Sequence, residues 1–322
     1  MSESMKAIFD IGLVPLVELE DAMDAVPFAK ALLAGGIPVA EVMFRTPAAR
    51  DTIAAIAAEV PEVIVGAGTV HTVDQAKVAV EAGAKFIVTP SFNHKVVKWC
   101  VEEGVNIVPG VVSPTDIQQA MDFGLTTLKF FPAESYGGVK TLKALAGPYA
   151  DMKFMATGGV NIDNMNQYLA LTNVAAVGGS FMTPSNLVKE KKWDEITIAC
   201  KETVKKMLGF EIAHIGINTA DEKEAKSLAG VLSSMFLQDV RETSGAFFAG
   251  SLAEVLKGSY LGVKGHFGIN TCDIDRAVAY FQRVGIELHE DTWVRDEKGK
   301  LITVYFKEEF GGFAVHLRRK EK

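Results

Sequence analysis

Leu125-Thr126-Thr127-Leu128-Lys129-Phe130-Phe131-Pro132 has the apolar, β-branched and aromatic composition of a buried β-strand. Between Leu13 and Gly179, short segments of this kind alternate with amphipathic stretches of helical periodicity. The eight predicted strands are Leu13–Val17, Val39–Phe44, Val63–Gly66, Phe86–Val88, Asn106–Pro109, Thr127–Phe130, Lys153–Ala156 and Ala175–Gly178. This repeating order of one strand and one helix is typical of a parallel α/β fold.

Helix boundaries in this region carry consistent start and stop signals. Thr46-Pro47 and Ser113-Pro114 each predict a capping residue followed by a first-turn proline, and Gly83, Gly104 and Gly124 follow predicted helix ends. Eight strand and helix units predict a closed (β/α)8 TIM barrel, with an open doubly wound sheet as the alternative. Short strands with polar or glycine-rich C-terminal ends favour the barrel, because a barrel carries its active site there.

The chain changes character near residue 210. The motif His214-Ile215-Gly216-Ile217-Asn218-Thr219 returns as His266-Phe267-Gly268-Ile269-Asn270-Thr271, and each copy precedes an acidic, helix-forming stretch. A repeat of about fifty residues predicts two β-α-β-β-β units packed as one α+β domain, although the first unit has little room for three strands between Phe236 and Leu256. We therefore expect two domains, residues 1–209 and 210–322.

Composition limits the classes of partner. The 322 residues are 48% hydrophobic and 23% charged, which provides ample material for folded cores. A net charge of −7 argues against a nucleic-acid or anionic-membrane surface. The expected partner is a small molecule, with no nucleic acid and no membrane.

Cysteine usage and the start of the chain predict a cytoplasmic protein. Cys100, Cys200 and Cys272 are far apart and lack CxxC spacing, so they are interpreted as core thiols in a reducing compartment. The N-terminal residues lack the pattern of a signal peptide, and no apolar run reaches the ~18 residues of a membrane span.

Lys129 is the one charged residue in its predicted strand. An ammonium group is expensive to bury, so Lys129 is expected to be paired, to snorkel toward water, or to be held as a neutral amine that attacks a carbonyl. The third state would define a Schiff-base enzyme. A structural or edge-strand lysine is the alternative.

Other polar side chains follow the predicted strands, and a closed barrel brings these strand ends to one mouth. Glu41 and Arg45 are four residues apart, so in an extended strand both would face inward, either as functional groups or as a plain buried ion pair. Thr69 follows the third strand, and Pro90 follows the fourth.

Glycine pairs follow the last two predicted strands, in Thr157-Gly158-Gly159 and in Gly178-Gly179-Ser180. Backbone N–H groups at these positions bind phosphate in many barrels, and Thr157 and Ser180 add hydroxyl groups. Simple turn glycines are the alternative.

Residues 13–208 resemble the 2-keto-3-deoxy-6-phosphogluconate (KDPG) and 4-hydroxy-2-oxoglutarate (KHG) aldolases, which are class I lyases on a (β/α)8 barrel. The shared stretches are Glu41–Thr46 (EVMFRT), Glu62–Val70 (EVIVGAGTV), Lys129–Glu134 (KFFPAE), Gly137–Lys140 (GGVK), Ala156–Val160 (ATGGV) and Val177–Ser180 (VGGS). The resemblance implies that Lys129 forms the Schiff base, that Glu41 transfers protons, and that Arg45 binds a carboxylate.

The same resemblance implies roles for the remaining strand-end residues. Thr69 would hold the pyruvyl carboxylate, and Pro90 and Phe131 would line the pocket. The residues expected to face the distal end of the substrate are Gly158, Gly159, Gly179 and Ser180. Thr157 is a further expected substrate-binding residue, because its hydroxyl group lies beside the first glycine pair in the sequence. Family members often have threonine and leucine in place of Met43 and Phe44.

The implied reaction cleaves a 2-keto-4-hydroxy acid to pyruvate and an aldehyde. The aldehyde would be glyceraldehyde 3-phosphate from KDPG or glyoxylate from KHG. The resemblance implies a homotrimer, and the chemistry requires no cofactor. The alternative is a keto-acid binding or sensor protein that acts through its C-terminal domain without turnover.

The C-terminal half resembles the vicinal oxygen chelate, or glyoxalase-like, superfamily, whose repeated modules place metal ligands on paired strands. By motif, His214 and His266 fall on the first-strand ligand positions, and Glu254 and His316 fall near the last-strand positions. The family more often has glutamate where this chain has His316. Metal binding by these four residues is one interpretation, and a packing or oligomerisation unit with ordinary histidines is the other.

Overall fold

The computed structural model describes residues 2–320. These residues form two compact units, the first ending at Met207 and the second beginning at Leu208. Each unit contains its own β-sheet.

Parallel strands of the first unit form one sheet that closes on itself. In the order β5-β4-β3-β2-β1-β9-β8-β7-β6, the outermost strands β5 and β6 are separated along the chain by Pro109 alone. The strands are β1 (Leu13–Val17), β2 (Val39–Met43), β3 (Ile64–Gly68), β4 (Ile87–Val88), β5 (Ile107–Val108), β6 (Gly110–Val111), β7 (Thr127–Phe130), β8 (Lys153–Thr157) and β9 (Val174–Gly179). Strands β5 and β6 are two parts of one interrupted strand, so the two ends of the sheet are joined. The predicted eight-stranded (β/α)8 barrel is therefore confirmed.

Apart from β5 and β6, helices separate these strands along the chain, as parallel pairing requires. They are α1 (Glu3–Ile11), α2 (Ala25–Ala34), α3 (Ala49–Glu59), α4 (Val73–Glu81), α5 (His94–Glu102), α6 (Pro114–Asp122), α7 (Gly138–Leu145), α8 (Met165–Leu169), α9 (Ser185–Lys189) and α10 (Trp193–Leu208). The core of the unit contains several large aromatic side chains that are fully buried. Among them are Phe28, Phe86, Phe130, Phe154 and Tyr168.

One of the two predicted capping pairs is confirmed. Ser113 caps α6 through its side chain, and Pro114 lies in the first turn. The prediction for Thr46-Pro47 is wrong, because α3 begins only at Ala49. The Thr46 hydroxyl donates instead to the carbonyl of Leu19 at 2.7 Å. This bond ties the loop after β2 to the loop after β1 at the mouth of the barrel.

The second unit is a mixed sheet in which strand, helix and three strands occur twice. Its elements are β10 (Glu211–Ile217), α11 (Glu222–Phe236), β11 (Val240–Glu242), β12 (Ala246–Ala249), β13 (Ala253–Leu256), β14 (His266–Thr271), α12 (Ile274–Arg283), β15 (Val294–Arg295), β16 (Leu301–Tyr305) and β17 (Ala314–Arg319). The strand order is β11-β12-β13-β10-β14-β17-β16-β15. The predicted pair of β-α-β-β-β units is confirmed, and three short strands do fit in the first.

Helix α11 covers one face of this sheet. Ala225 and Ala229 of the helix pack against Phe247, Ala253 and Val255. Because side chains alternate along a strand, the neighbours of these sheet residues point to the opposite face. That opposite face carries His214 and His266, the first residues of the two motif copies.

The cysteines differ in exposure. Cys100 and Cys200 are buried as predicted, but the prediction for Cys272 is wrong, because this residue follows the end of β14 and is exposed. Within residues 2–320, no helix is long and apolar enough to cross a lipid bilayer.

Candidate active site

Lys129 of β7 and Glu41 of β2 meet inside the barrel. Nζ of Lys129 lies 3.2 Å from Oε1 of Glu41, and the two side chains are 6% and 1% exposed. An ion pair buried this deeply is stable only when each group compensates the charge of the other. The second carboxylate oxygen, Oε2, is buried and has no hydrogen-bond partner within the described part of the chain. Buried acceptors of this kind are rare in folded proteins, and a functional role is one explanation.

Glycines on β3 make room for the Glu41 side chain. Gly66 lies opposite Glu41 in the parallel ladder, and Gly68 lies one pleat further along. A Cβ atom at Gly68 would lie 2.3 Å from Oε1 of Glu41, and a Cβ atom at Gly66 would lie 2.4 Å from the Phe86 ring. Gly68 therefore makes room for the carboxylate of Glu41, and Gly66 makes room for the Phe86 ring.

Lys129 also lies close to predicted pocket residues. Its Nζ is 5.2 Å from the centre of the Phe131 ring, within the range of a cation–π contact. Gly110 is its neighbour across the ladder. A Cβ atom at Gly110 would come within 2.4 Å of the Pro90 carbonyl, so the glycine allows two neighbouring strands to approach closely. The structure thus places Phe131 beside Lys129, and Pro90 against Gly110, the residue that pairs with Lys129.

Thr69, which follows β3, has a left-handed backbone with φ of 58°. A β-branched residue rarely adopts this conformation, because its side chain crowds the backbone. Such strain is concentrated at ligand-binding and active sites. The half-buried Thr69 is therefore held in an unfavoured geometry one residue after Gly68.

Arg45 lies outside the strand that carries Glu41. Strand β2 ends at Met43, so the spacing that predicts a shared inward face does not apply. The guanidinium group instead lies 3.5 Å from the carboxylate of Glu18, and the two side chains are 51% and 39% exposed. Both residues line a cavity of about 440 Å³ at the barrel mouth, and Ser180 lines it too. Arg45 is thus a rim residue rather than an interior one.

The residues after β8 pack tightly against the segment that follows Lys129. Gly158 and Gly159 have φ of 97° and 81°. A Cβ atom at Gly158 would lie 2.9 Å from Pro132, and one at Gly159 would lie 2.5 Å from Glu134. Both glycines are therefore needed for close packing, whether or not their N–H groups also bind an anion.

The hydroxyl groups near these glycines differ in accessibility. Thr157 is buried, and its Oγ1 has no hydrogen-bond partner among residues 2–320. Ser180 is exposed at the start of a short 3-10 helix, Ser180–Met182, and Gly179 before it packs against the Phe181 ring. The structure thus separates the buried hydroxyl of Thr157 from the Ser180 hydroxyl on the cavity wall.

Two polar residues of the barrel were missed by the sequence analysis. Glu18, the partner of Arg45, directly follows β1. It could have been identified in the same way as the other polar residues that follow predicted strands. Glu134 accepts a hydrogen bond from the Tyr168 hydroxyl. Burial raises the pKa of Tyr168, and the hydrogen bond to the Glu134 carboxylate raises it further. No sequence pattern links these two residues.

A second cluster of polar residues lies in the other unit, on the sheet face opposite α11. His214, Glu254, His266 and His316 come from the four central strands of the sheet. Nε2 of His214 lies 3.2 Å from Nε2 of His266 and 3.1 Å from Nε2 of His316. Oε2 of Glu254 lies 3.1 Å from His214 and 3.4 Å from His266. All four candidate metal ligands named from the sequence are therefore brought together.

The glycine of each motif copy holds the histidine of the other copy. His214 pairs with Gly268, and Gly216 pairs with His266, across antiparallel strands β10 and β14. A Cβ atom at Gly216 would lie 2.0 Å from the His266 ring, and one at Gly268 would lie 2.5 Å from the His214 ring. Nδ1 of both histidines has no hydrogen-bond partner in the described residues, so the two rings are oriented by packing over the glycines together with the contacts of Nε2 to Glu254.

The donor set fits a divalent metal ion. Donors about 2.0 to 2.1 Å from an ion in tetrahedral coordination lie roughly 3.3 to 3.4 Å apart, close to the observed spacings. Nδ1 of His316 lies 3.4 Å from the carbonyl of Leu317, which leaves Nε2 to face the cluster. Burial would raise the pKa of Glu254, but hydrogen bonds from His214 and His266 outweigh it and hold the pKa at about 2. Imidazole donors suit zinc, iron, nickel and copper.

The barrel sequence has clear relatives among known proteins. A family model described as KDPG and KHG aldolase matches residues 5–199. The chain is 44% identical over 199 residues to the 2-dehydro-3-deoxy-phosphogluconate aldolase of Treponema pallidum, with 62% of this chain and 95% of the relative covered. It is 43% identical over 202 residues to the KHG/KDPG aldolase of Escherichia coli K12, with 62% and 95% covered.

A solved structure is also similar to the barrel. It is a KDPG aldolase from Legionella pneumophila with pyruvate captured at low pH as a covalent carbinolamine intermediate. Sequence identity is 35% and the TM-score is 0.61, with 63% of this chain and 98% of that chain covered.

Proposed function

The chain belongs to the KDPG and KHG aldolase family, and on that premise we propose that Lys129 and Glu41 carry out Schiff-base cleavage of a 2-keto-4-hydroxy acid. The substrate is KDPG, cleaved to pyruvate and glyceraldehyde 3-phosphate, and KHG is a second substrate, cleaved to pyruvate and glyoxylate. The relatives are named as aldolases, and nothing supports the alternative of a sensor without turnover.

The observation that carries this proposal is the buried contact between Nζ of Lys129 and Oε1 of Glu41, at 3.2 Å. An ammonium group has no lone pair, so Lys129 must release a proton before it can attack a carbonyl carbon. The carboxylate within hydrogen-bond distance can take that proton. The Glu41 carboxyl group can return the proton later, when the carbinolamine hydroxyl leaves as water.

The reaction follows from these two groups. The neutral amine of Lys129 adds to C2 of the substrate, and the resulting carbinolamine loses its hydroxyl as water once Glu41 has supplied a proton. The protonated imine withdraws electrons. Removal of the C4 hydroxyl proton then breaks the C3–C4 bond, releases the aldehyde and leaves a pyruvate enamine. Protonation of C3 and addition of water release pyruvate and restore Lys129.

Residues at the rim complete the proposed site. Arg45, with Thr69, binds the substrate carboxylate, since a guanidinium offers a planar pair of donors. Pro90 and Phe131 exclude water beside Lys129. Thr157, Gly158, Gly159, Gly179 and Ser180 hold the distal end of the substrate. The expected homotrimer and cytoplasmic location stay predictions.

Pyruvate release from KDPG and from KHG tests this function directly. The wild-type protein should cleave both substrates, and Lys129→Ala should cleave neither. Lys153→Ala is the matched control, because Lys153 begins the neighbouring strand β8 and its Nζ donates to the carbonyl of Thr172. Wild-type protein that cleaves neither substrate would overturn the proposal.

A second function is favoured by the cluster in the other unit. His214, His266 and His316 hold a divalent metal ion, because the ligand atoms of these three buried histidines all lie within 4.8 Å of one another. Glu254 is the candidate fourth ligand, since its carboxylate contacts His214 and His266. A bound ion would supply positive charge and coordination positions for oxygen ligands. Elemental analysis after dialysis against Zn²⁺ or Co²⁺ should find one ion per chain in the wild-type protein and none in His266→Ala. Equal metal content in both would contradict this assignment.

A further inference from the structure

The cavity at the barrel mouth begins beside the proposed reaction centre. Leu16 lines the cavity and lies opposite Glu41 in the parallel ladder between β1 and β2. Because residues paired in this way point to the same face of the sheet, the cavity starts next to the Glu41 side chain. Its volume of about 440 Å³ falls within the range of small-molecule sites. A substrate bound at Lys129 therefore has room to extend into this cavity.

Charged side chains of both signs line the cavity. The four acidic and three basic lining residues are Glu18, Glu20, Asp21 and Asp24, and Arg45, Lys189 and Lys191. Acidic side chains therefore outnumber basic ones by one. KDPG carries a carboxylate and a phosphate group, so it enters this cavity as an anion. Such a substrate gains attraction here when a basic side chain leaves its acidic partner and binds the substrate instead.

Lys191 forms an ion pair on the wall of this cavity, in addition to the pair of Arg45 with Glu18. Its Nζ lies 2.8 Å from Oδ1 of Asp24, and the two side chains are 55% and 15% exposed. The contact joins the segment after β9 to the segment after β1, and these two strands are neighbours in the sheet. Because the Lys191 side chain is more than half exposed, its ammonium group can leave Asp24 at little cost.

The backbone of Lys191 is also unusual. Its φ of 54° lies in the left-handed region, which residues other than glycine rarely adopt. Backbone strain of this kind is concentrated at ligand-binding and active sites. Lys189 lines the same cavity, but it ends the short helix α9 and has no such strain. Ion pair and backbone are two separate observations that single out Lys191.

We infer that Lys191 leaves Asp24 and binds the phosphate group of KDPG, so that it helps to determine which substrate the barrel prefers. The inference rests on the proposed function, because it requires KDPG to be bound at Lys129. Arg45 is assigned to the substrate carboxylate, which leaves Lys191 for the phosphate at the other end. An ammonium group is a common ligand of phosphate. KHG has no phosphate and ends one carbon beyond C4, so it gains nothing from Lys191.

Steady-state kinetics of the full-length chain on KDPG and KHG test this role. Lys191→Gly removes the ammonium group and suits the left-handed backbone, so the barrel should stay folded. KM for KDPG should rise roughly tenfold, while kcat and the KM for KHG stay nearly unchanged. Lys191→Arg keeps the positive charge and should retain most of the affinity for KDPG. Lys192→Ala is the matched control, because Nζ of Lys192 pairs with Glu190 and Glu195 instead.

Asp24→Asn separates phosphate binding from a purely structural ion pair. The amide holds Lys191 less strongly and removes a negative charge from the cavity, so KM for KDPG should fall rather than rise. If the ion pair only shaped the cavity wall, Asp24→Asn and Lys191→Gly would both raise this KM. That result, an unchanged KM for KDPG in Lys191→Gly, or an equal rise for KHG would overturn the inference and leave the aldolase function standing. Wild-type protein that cleaves neither substrate would overturn the proposed function, and this inference with it.

Discussion

Lys129 and Glu41 are 88 positions apart in the chain, yet Nζ of the first and Oε1 of the second lie 3.2 Å apart inside the barrel. The contact joins β7 to β2, two strands that are not neighbours in the sheet. It therefore depends on closure of the barrel. Oε2 of Glu41 has no hydrogen-bond partner among residues 2–320, and under the proposed function the pair exchanges a proton with the bound substrate.

Glu41→Gln should retain pyruvate binding and lose most turnover. The amide keeps the size and one acceptor of the carboxylate, but it cannot take a proton from Lys129, and general acid–base transfer typically contributes ~10²- to 10⁴-fold to rate. Steady-state kinetics on KDPG would measure the loss. Glu62→Gln, on the exposed loop before β3, is the control. A Glu41→Gln enzyme with wild-type kcat would refute the proton-transfer role.

Gly68→Ala should disable the barrel site without unfolding it. The added Cβ would lie 2.3 Å from Oε1 of Glu41, so the carboxylate must move. A displacement of about 1 Å can cost on the order of 10²-fold in rate. Gly147→Ala is the matched control, because its Cβ meets nothing closer than 3.9 Å. Full activity in Gly68→Ala, with a folded protein by circular dichroism, would show that the position of Glu41 is not critical.

Ser180→Ala should separate the two substrates. Ser180 lies on the wall of the cavity at the barrel mouth, and a hydrogen bond to a charged group is worth about 1.5 to 3 kcal/mol. Loss of that bond should lower kcat/KM for KDPG by roughly tenfold to a hundredfold and barely change KHG cleavage. Equal losses on both substrates would indicate that Ser180 and the neighbouring glycines form a structural turn.

Gly216→Ala should weaken metal binding in the second unit. Its Cβ would lie 2.0 Å from the His266 ring, which must then leave the cluster. Gly230→Ala is the matched control, since nothing lies within 4 Å of its added Cβ and the residue is inside α11. Metal affinity measured by calorimetry should fall at least ~10-fold in Gly216→Ala, the range seen when ligand orientation is lost. Unchanged affinity would mean that packing over Gly216 does not orient His266.

Barrel closure and the position of Lys129 could be predicted from sequence because both follow from local patterns. Apolar segments of strand length alternate with helical periodicity, and Lys129 interrupts one such segment. The position of Arg45 could not be predicted, because β2 stops at Met43 and the hydrogen bond from Thr46 to Leu19 shapes the loop. That bond joins two loops that are distant in the chain.

The histidine cluster was likewise predicted only in part, because some of its features are local in sequence and others depend on distant residues. The repeated motif identifies His214 and His266, but it does not reveal that each ring packs over the glycine of the other copy. This arrangement depends on the register between β10 and β14. The packing of Gly158 and Gly159 against Pro132 and Glu134 is likewise visible only in the folded barrel.

Imine trapping at Lys129 tests the central claim most directly. Incubation with pyruvate and borohydride, followed by peptide mapping, should place one reduced pyruvyl group per chain on Lys129. Lys129→Ala should remain unlabelled, and Lys153→Ala should label as the wild type does. A label that persists in Lys129→Ala, or that maps to another lysine in the wild-type protein, would contradict the account.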